Sequence, residues 1–496
     1  MIVRVTFLIA LLASLSLQII GCAKNPTTGE KIFTGGFSEI EEIRVGVKNH
    51  PKIVAFFGGE YRSSQLKAYV NSIGQLLASA SERRNLKWRF TVLNSDTVNA
   101  FAMPGGFVYV TRGLLALADN EAQLASVLAH EIGHVTALHH ARRFGQSLIA
   151  NVGVLTAGII GGRQIGRFSQ LGTTTLLQRF SRENEFESDE LGIRYAARVG
   201  YNPAAMAQFL LKLRAHSQLT AKRRGKDTGS VDQFNYLSTH PAPLSRVYRA
   251  KVLANSVFVK RPMTERSIYL KKIDGILYGS DLDQGVIQDR NFIHPRLLIR
   301  FRVPKGFSMF NTNEAVYAFG SAKSRIIFDR DNRNYKLSMK AYLENVWAGG
   351  QTINNLEPIK VNSLEAATGT TRINTRDGVV DVRLVAYRVT NNEIYRFRFL
   401  TAPNQTSRQS MGFLKTTYSF RQLPASEAKK LSPLQLRIVK VEKGDNVRNM
   451  ALRMPYSDYP IERFEVLNGI SRSDKLRVGQ KLKIIIQNSF DPKHFR

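Results

Sequence analysis

Hydrophobic and polar positions recur with two different periods along the chain. Helical spacing dominates the first half. Ile40, Ile43 and Val47, then Leu66, Val70, Ile73 and Leu77, predict helices between about Phe37 and Arg84. Residues 88–93 and 107–111 alternate as strands do, the second after a Pro104-Gly105-Gly106 turn. Asn120 can cap a strong helix, with Gln123 at the capping-box position. A further helix runs from about Phe180 to Val199 and stops at Gly200. The next opens at Asn202-Pro203, a cap followed by proline at the first helical position. Residues 219–230, with Lys222, Arg223, Arg224 and Lys226, read as a solvated basic loop. Residues 148–162 are apolar and glycine-rich. They fall short of the roughly 20 residues a membrane span needs, so a buried helix or a pair of short segments is expected.

Beyond about residue 262 strand patterns take over. Residues 382–389 and 394–399 flank Asn391-Asn392 as a hairpin. Tyr395, Phe397 and Phe399 share one face there and Arg396 and Arg398 the other, which reads as a half-buried strand with a solvated basic face. A linker at 424–435, with Pro424 and Pro433, precedes a last small unit at 436–487. The organisation is therefore α+β and multidomain. A leader occupies 1–21, an N-terminal linker and helix 22–60, a mainly helical domain with a small sheet 61–261, and a β-rich domain 262–425.

Composition sharpens this. Apolar residues at 43% and charged residues at 22% fit a globular chain. Lys plus Arg is 71 against 39 for Asp plus Glu, a net charge of +32 that favours anionic partners. The N-terminus narrows them. Arg4 precedes an almost unbroken apolar run from Val5 to Ile20, which reads as a secretory signal. The run ends Gly21-Cys22, and Cys22 is the single cysteine, so an intrachain disulfide and a cysteine-based zinc finger are both excluded. This resembles the lipobox of bacterial lipoproteins. The resemblance implies that Cys22 is lipidated and anchors the chain to a membrane outside the cytoplasm, which removes nucleic acid as a partner. Losing residues 1–21 costs one arginine and leaves +31. Ala23 stands where an Asp tends to retain lipoproteins at the inner membrane of Gram-negative cells, so the start resembles the class sorted to the outer membrane.

The chemistry concentrates at His130-Glu131-Ile132-Gly133-His134. On a helix, positions i and i+4 share a face, so two imidazoles can hold one zinc while Glu131 serves as general base. The apolar flanks predict a buried helix, where a His-Glu-His cluster needs partners or a metal. A catalytic zinc takes a third protein ligand. On helix 180–199, Glu185 and Asp189 share a face; one can bind metal while the other orients an imidazole, with Glu183, Glu187 and Glu190 as competitors.

These residues resemble the HtpX-like and Ste24-like zinc metallopeptidases, most closely the periplasmic, BepA-like members. Asn99 to Gly106, Thr111 to Leu115, and Thr239-His240-Pro241 with Arg246 agree with the family pattern, and the resemblance covers about residues 25–260. It implies a gluzincin fold with one zinc per chain, Glu185 as third ligand and Asp189 as its paired acid. Strand 107–111 could be the sheet edge that pairs with an extended substrate. Arg246 or His240 could stabilise the oxyanion, and His240 could instead close the open zinc position and keep the enzyme latent. His139 and His140 read as helix-end residues off the zinc face. One departure is Leu138, where many members carry Arg.

Residues 436–487 resemble LysM, a β-α-α-β module that binds N-acetylglucosamine-containing glycans, through Lys443-Gly444-Asp445, Leu467-Asn468-Gly469 and Gly479-Gln480. Asn446 replaces the consensus Thr. The expectation is a zinc metalloendopeptidase on the periplasmic side of the outer membrane. It would act on misfolded or stalled envelope proteins and hold peptidoglycan through the last unit. The competing expectation is a peptidoglycan-tethered chaperone or scaffold that cleaves rarely.

Overall fold

The structure, a computed structural model, describes residues 21–152, 180–223, 227–229, 240, 243–312, 314–375 and 378–487, with the side chains of 147–152 excepted. The leader, all but the start of the apolar 148–162 run, Thr239 and Pro241 lie outside these residues. Among the described residues no helix is long and apolar enough to cross a membrane. The chain forms two compact units. One joins the segment up to Val54 with Glu60–Tyr278 and Gln435–Ile486; the other joins Ala55–Gly59 with Gly279–Leu434.

The first unit opens with a hairpin of β1 (Cys22–Lys24) and β2 (Lys31–Phe33), followed by α1 (Glu39–Phe56) and α2 (Ser64–Ser79). The helical period of α1 is right but its apolar face is not the inner one. Ile40, Ile43 and Val47 are exposed, while Glu42, Val45, Asn49 and Ile53 are buried. Glu42 goes in because Arg83 meets it at 2.7 Å in the interior, and Gly46 lets the helix ride on Pro104 and Phe107, where a Cβ would clash at 2.4–2.5 Å. Burial of a charge needs a partner of this kind.

Strands β3 (Arg89–Leu93), β4 (Ala100–Met103) and β5 (Phe107–Thr111) form a sheet in the order β3-β5-β4, with β3 and β5 parallel and β4 antiparallel. Strand 107–111 is thus the central strand, paired on both sides, and not an edge; β4 is the edge on that side. Both faces of the central strand are covered, so its alternation carried no mark of its place in the sheet.

Helix α3 (Arg112–Leu117), capped by Thr111, leads to α4 (Glu121–Thr136). The Asn120 side chain accepts from Gln123 N as expected, and Gln123 Oε1 accepts from Asp119 N. Every residue of α4 from Ala122 onward is buried. Past the end of α4, Leu138 is left-handed with a φ of +57°, and α5 (His139–Val152) departs from there. Then come α6 (Arg182–Arg198), capped by Ser181 and closed at Gly200 with φ +93°, and α7 (Ala205–Arg223). α7 starts two residues later than Pro203 suggested. It also carries 219–223 as helix where a loop was expected, since nothing in that stretch breaks a helix before Gly225. α8 (Leu244–Ser256), α9 (Arg266–Ile273) and β6 (Leu277–Tyr278) complete this stretch.

The second unit starts with β7 (Val286–Gln288), β8 (Asn291–His294) and β9 (Ile299–Arg302). It continues through β10 (Ser308–Asn311), β11 (Ala315–Phe319), β12 (Arg325–Asp331) and the short α10 (Met339–Tyr342). Four long strands follow: β13 (Asn354–Val361), β14 (Leu364–Thr375), β15 (Gly378–Thr390) and β16 (Glu393–Thr401). α11 (Thr406–Ser419), β17 (Arg421–Gln422) and α12 (Ala425–Ala428) end it. A seven-stranded antiparallel sheet, order β10-β11-β12-β16-β15-β14-β13, and a four-stranded sheet, β17-β9-β8-β7, share a core of Phe292, Phe301, Phe328, Tyr387, Phe397 and Phe420. α10 covers the opposite face around Tyr342, Leu384 and Ile394. The 382–399 hairpin forms, with its aromatics inward. Its arginines are not a free basic face: Arg396 and Arg398 both lie 2.6 Å from Asp329 on the neighbouring strand.

The chain returns to the first unit as β18 (Leu434–Lys440), α13 (Val447–Ala451), α14 (Pro460–Asn468) and β19 (Lys481–Gln487), a β-α-α-β arrangement. Asn446 caps α13 with a full capping box, so the consensus departure keeps the turn. The sheet here is β19-β18-β6, so this segment shares its strands with residues 277–278.

Candidate metal centre

Two helices build the centre. α4 carries His130, Glu131 and His134; α6 carries Glu185 and Asp189. They approach closely because each offers a glycine to the other. A Cβ on Gly192 of α6 would lie 3.0 Å from His130 N, and one on Gly133 of α4 would lie 3.2–3.3 Å from Leu191 and Ser188. The result is a cluster in which His130, His134, Glu185 and His240 each present one ligand atom within 4.8 Å of the others, all buried. Glu183 and Glu190 of α6 point outward and are exposed, which removes them as competitors. His130 Nε2 and His134 Nε2 face each other at 3.0 Å, and Glu185 carboxylate oxygens stand 3.6 Å from each.

The outer atoms of these candidate ligands are held. His130 Nδ1 lies 2.9 Å from Asp189 Oδ1. Asp189 is gripped in turn by Arg246 of α8, whose Nε and Nη2 donate to its two oxygens at 2.8 and 2.7 Å. A third Arg246 nitrogen, Nη1, sits 2.7 Å from Glu185 Oε2. Arg246 is therefore fixed in ion pairs behind the ligands. His134 Nδ1 is 2.8 Å from His139 Nδ1, and His139 Nε2 is 3.1 Å from Glu187 Oε2. Glu187 Oε1 accepts from Thr27 Oγ1 at 3.3 Å and Asn25 Nδ2 at 3.5 Å, so this line of contacts ends in the N-terminal hairpin.

His139 is thus a fully buried partner of a ligand imidazole, where the sequence suggested a bland helix end. Continuing the 3.6-residue period past His134 puts position 139 off the zinc face. The left-handed Leu138 ends that period and turns His139 back onto His134. His140 is also buried, beside Phe180, with ring centroids 4.9 Å apart.

Electrostatics follow from these contacts. Burial opposes ionisation of Glu185, but His240 and Arg246 outweigh it and hold the carboxyl well below the usual range. Burial works against Asp189 in the same way and Arg246 again prevails. Burial would neutralise His130, yet Asp189 and Glu185 push it up to about 9. His134 is driven the other way, by burial and by the neighbouring imidazoles. The ionised Glu185 carboxylate facing the inward-turned Nε2 atoms of His130 and His134, with Asp189 behind His130, forms a donor set that suits a divalent cation.

Glu131 Oε2 is buried and has no hydrogen-bond partner among the described residues, while Oε1 lies 3.4 Å from His240 Nε2. His240 also approaches Glu185 Oε1 at 2.8 Å through Nδ1. A small cavity of about 50 Å³ opens beside His130 and Glu131, walled by Ala100 of the edge strand β4, Leu114, Val127 and Met206. It has room for a water next to the unpartnered carboxylate oxygen.

Residues 64–254 match peptidase family M48. The Beta-barrel assembly-enhancing protease of Escherichia coli (strain K12) is 34% identical over 233 residues, which cover 44% of this chain and 45% of that protein. The protein of the same name from Yersinia pestis is 35% identical over 228 residues, with the same coverage. Mitochondrial metalloendopeptidase OMA1 of Schizosaccharomyces pombe is 29% identical over 199 residues, 40% of this chain and 56% of that one. The chain spans a little under half the length of the β-barrel assembly-enhancing relatives it matches.

Proposed function

With a peptidase family M48 domain across residues 64–254 as the premise, we propose that the chain is a zinc-dependent metalloendopeptidase of the cell envelope, acting on misfolded or stalled envelope proteins. The observation that carries this is the buried cluster of His130, His134 and Glu185 beside an unpartnered Glu131 carboxylate oxygen. His130, His134 and Glu185 would hold one zinc, which supplies a Lewis acid able to acidify water and polarise a peptide carbonyl. Glu131 Oε2 takes the proton of the attacking water and delivers it to the leaving amine. Asp189 orients His130, and Arg246 anchors Asp189 and Glu185. That pairing favours a positioning role for Arg246 over a direct one at the oxyanion. His240, within reach of both Glu185 and Glu131, fits either an oxyanion donor or a side chain that holds the enzyme latent.

The finer placement belongs to the same proposal. Cys22 would be lipidated after loss of residues 1–21 and would tether the chain to the periplasmic face of the outer membrane. The exposed Ile40, Ile43 and Val47, alternating with Arg44 and Lys48 soon after that cysteine, suit a position close to an anionic bilayer. The β-α-α-β segment would bind peptidoglycan as a LysM-like module. A second reading, a chaperone or scaffold for outer-membrane protein assembly with little proteolysis, is favoured by the closeness of His240 to Glu131.

Purified residues 22–496 and the Glu131→Gln variant should each bind about one zinc, and only the unmodified protein should cleave casein. The variant should be slowed by at least about 100-fold. Zinc in both but cleavage in neither would move the balance to the latent or scaffold reading, and His240→Ala would then be expected to raise basal cleavage. Absence of zinc in both after metal supplementation would end the metallopeptidase reading.

A further inference from the structure

We propose that the second unit carries a binding site for a multiply phosphorylated ligand, in a cleft between α11 and the β8–β9 strands. The cleft has a volume of about 750 Å³. Six cationic side chains line it, Arg290, Arg300, Arg302, Lys305, Lys415 and Arg421, and no Asp or Glu does. A basic chain scatters cations over its surface, and elsewhere in this unit several arginines are answered one by one by acids. Arg372 meets Asp381, Arg388 meets Glu365, Arg333 meets Asp331, and Arg396 and Arg398 share Asp329. The cleft instead gathers six cations around a single acid, Glu427, which lies outside its lining.

Its arrangement also costs folding energy. Arg300 and Arg421 stand directly opposite each other on paired strands, a destabilising placement for like charges. One carboxylate outside the cleft lining, Glu427, answers both, at 3.0 Å from Arg421 and 3.6 Å from Arg300. Asn291 Oδ1 accepts from Arg302 Nε at 3.0 Å and from Arg300 Nη2 at 3.4 Å, which orients two guanidinium groups. Lys305 and Lys415 are exposed and form no ion pair among the described residues.

The volume lies in the range of small-molecule sites and far exceeds what one phosphate fills. Guanidinium forks match phosphate oxygens in pairs, and six cations exceed the charge of a single group. Met411 and Tyr418, 58% and 48% exposed, add apolar surface along the α11 side. That mixture favours the headgroup of a phospholipid that carries more than one phosphate, with soluble oligophosphate as the other source of the same chemistry.

The test uses residues 22–496 with Cys22→Ser, so that no acyl chain contributes. Tripolyphosphate should bind at about one per chain by calorimetry. The double variant Lys305→Glu/Lys415→Glu should weaken it about tenfold or more, whereas Lys336→Glu/Lys340→Glu, an equal change of charge on the same unit, should not. Arg302→Gln, also exposed, is a second variant should the first fail to fold by circular dichroism. Flotation with cardiolipin but not phosphatidylcholine vesicles, lost in the cleft variant and competed by tripolyphosphate, would identify a lipid headgroup. Tripolyphosphate binding that responds to the cleft variant without such flotation would identify a soluble phosphate ligand. No tripolyphosphate binding, or equal weakening by the cleft and control variants, would overturn the site.

Discussion

His134 offers Nε2 to the cluster, and its other ring nitrogen is turned to His139, which leans on Glu187. A ligand imidazole with a fixed outer partner holds one tautomer and one orientation, and loss of such a partner typically costs 10–100-fold in metal affinity. His139→Ala should therefore weaken zinc binding by about that factor in a chelator competition, with cleavage restored by excess zinc. Glu187→Gln should do less, because the amide oxygen can still accept from His139. Unchanged zinc affinity in His139→Ala would mean that packing alone holds His134. At this scale the sequence was informative wherever a fixed helical spacing carries the chemistry. His130, Glu131 and His134 follow from the i, i+4 rule; on α6 the same rule pairs Glu185 with Asp189 but leaves Glu183, Glu187 and Glu190 open, and only the family resemblance singles out Glu185. His139 was not legible, because a single left-handed residue, Leu138, cancels the periodicity on which the reasoning depends. Nor was Arg246 settled, since an arginine's partners are long-range and no local pattern names them.

The cluster exists only if α4 and α6 touch, and two glycines let them. A methyl group on Gly192 would come within 3.0 Å of His130 N and 2.9 Å of Met206 Cε. Met206 can yield; the backbone of a ligand-bearing helix cannot without shifting His130. Gly192→Ala should thus lower both the melting temperature and zinc content, with a cost of about 1–3 kcal/mol typical of overpacking. Ala in place of Gly inside a helix otherwise gains about 0.5–1 kcal/mol, so a stabilised variant with normal zinc would show that the helices can part freely. Helices and strands were largely legible as elements, through the cap at Asn120 and the stop at Gly200. Their faces and neighbours were less so. The spacing of Ile40, Ile43 and Val47 marks α1 as a helix, but the interior selects the side that carries Gly46 and the Glu42–Arg83 pair. Strand 107–111 looked like an edge, but pairing order is decided by partners distant in sequence.

The C-terminal segment is joined to the rest of the first unit through buried charge. Lys483 Nζ donates to the carbonyls of Ala116, Leu117 and Ala118 at 2.9–3.1 Å and stands 3.0 Å from Asp119. Lys212 of α7 reaches the same carboxylate and also donates to Leu467 O at 2.9 Å. All three side chains are buried or nearly so. Burial opposes the ionisation of Asp119, but Lys483 and Lys212 outweigh it and bring the carboxyl down to about 2. An unfolded Asp titrates near 3.9, so the native state binds fewer protons between these values. The stabilisation is complete above about pH 4 and lost as pH falls towards 2, on the order of 2 kcal/mol. Among the described residues Asp119 is the acid that faces Lys212 and Lys483, whose charged forms burial disfavours, Lys212 most; Asp119→Ala leaves both without it and should cost on the order of 3 kcal/mol at neutral pH. Lys483→Met leaves Asp119 paired with Lys212 and should cost less, about 1–3 kcal/mol for the carbonyls left without a donor. Urea melts at pH 7 and pH 3.5 check both points. The unmodified protein should lose stability at the lower pH, and Asp119→Ala, lacking the titrating group, should lose less across the same interval. Equal losses in the two proteins would place the acid sensitivity elsewhere. A segment joined in this way is a fixed part of the first unit, so any glycan it binds would be held at a set position relative to His130 and Glu131.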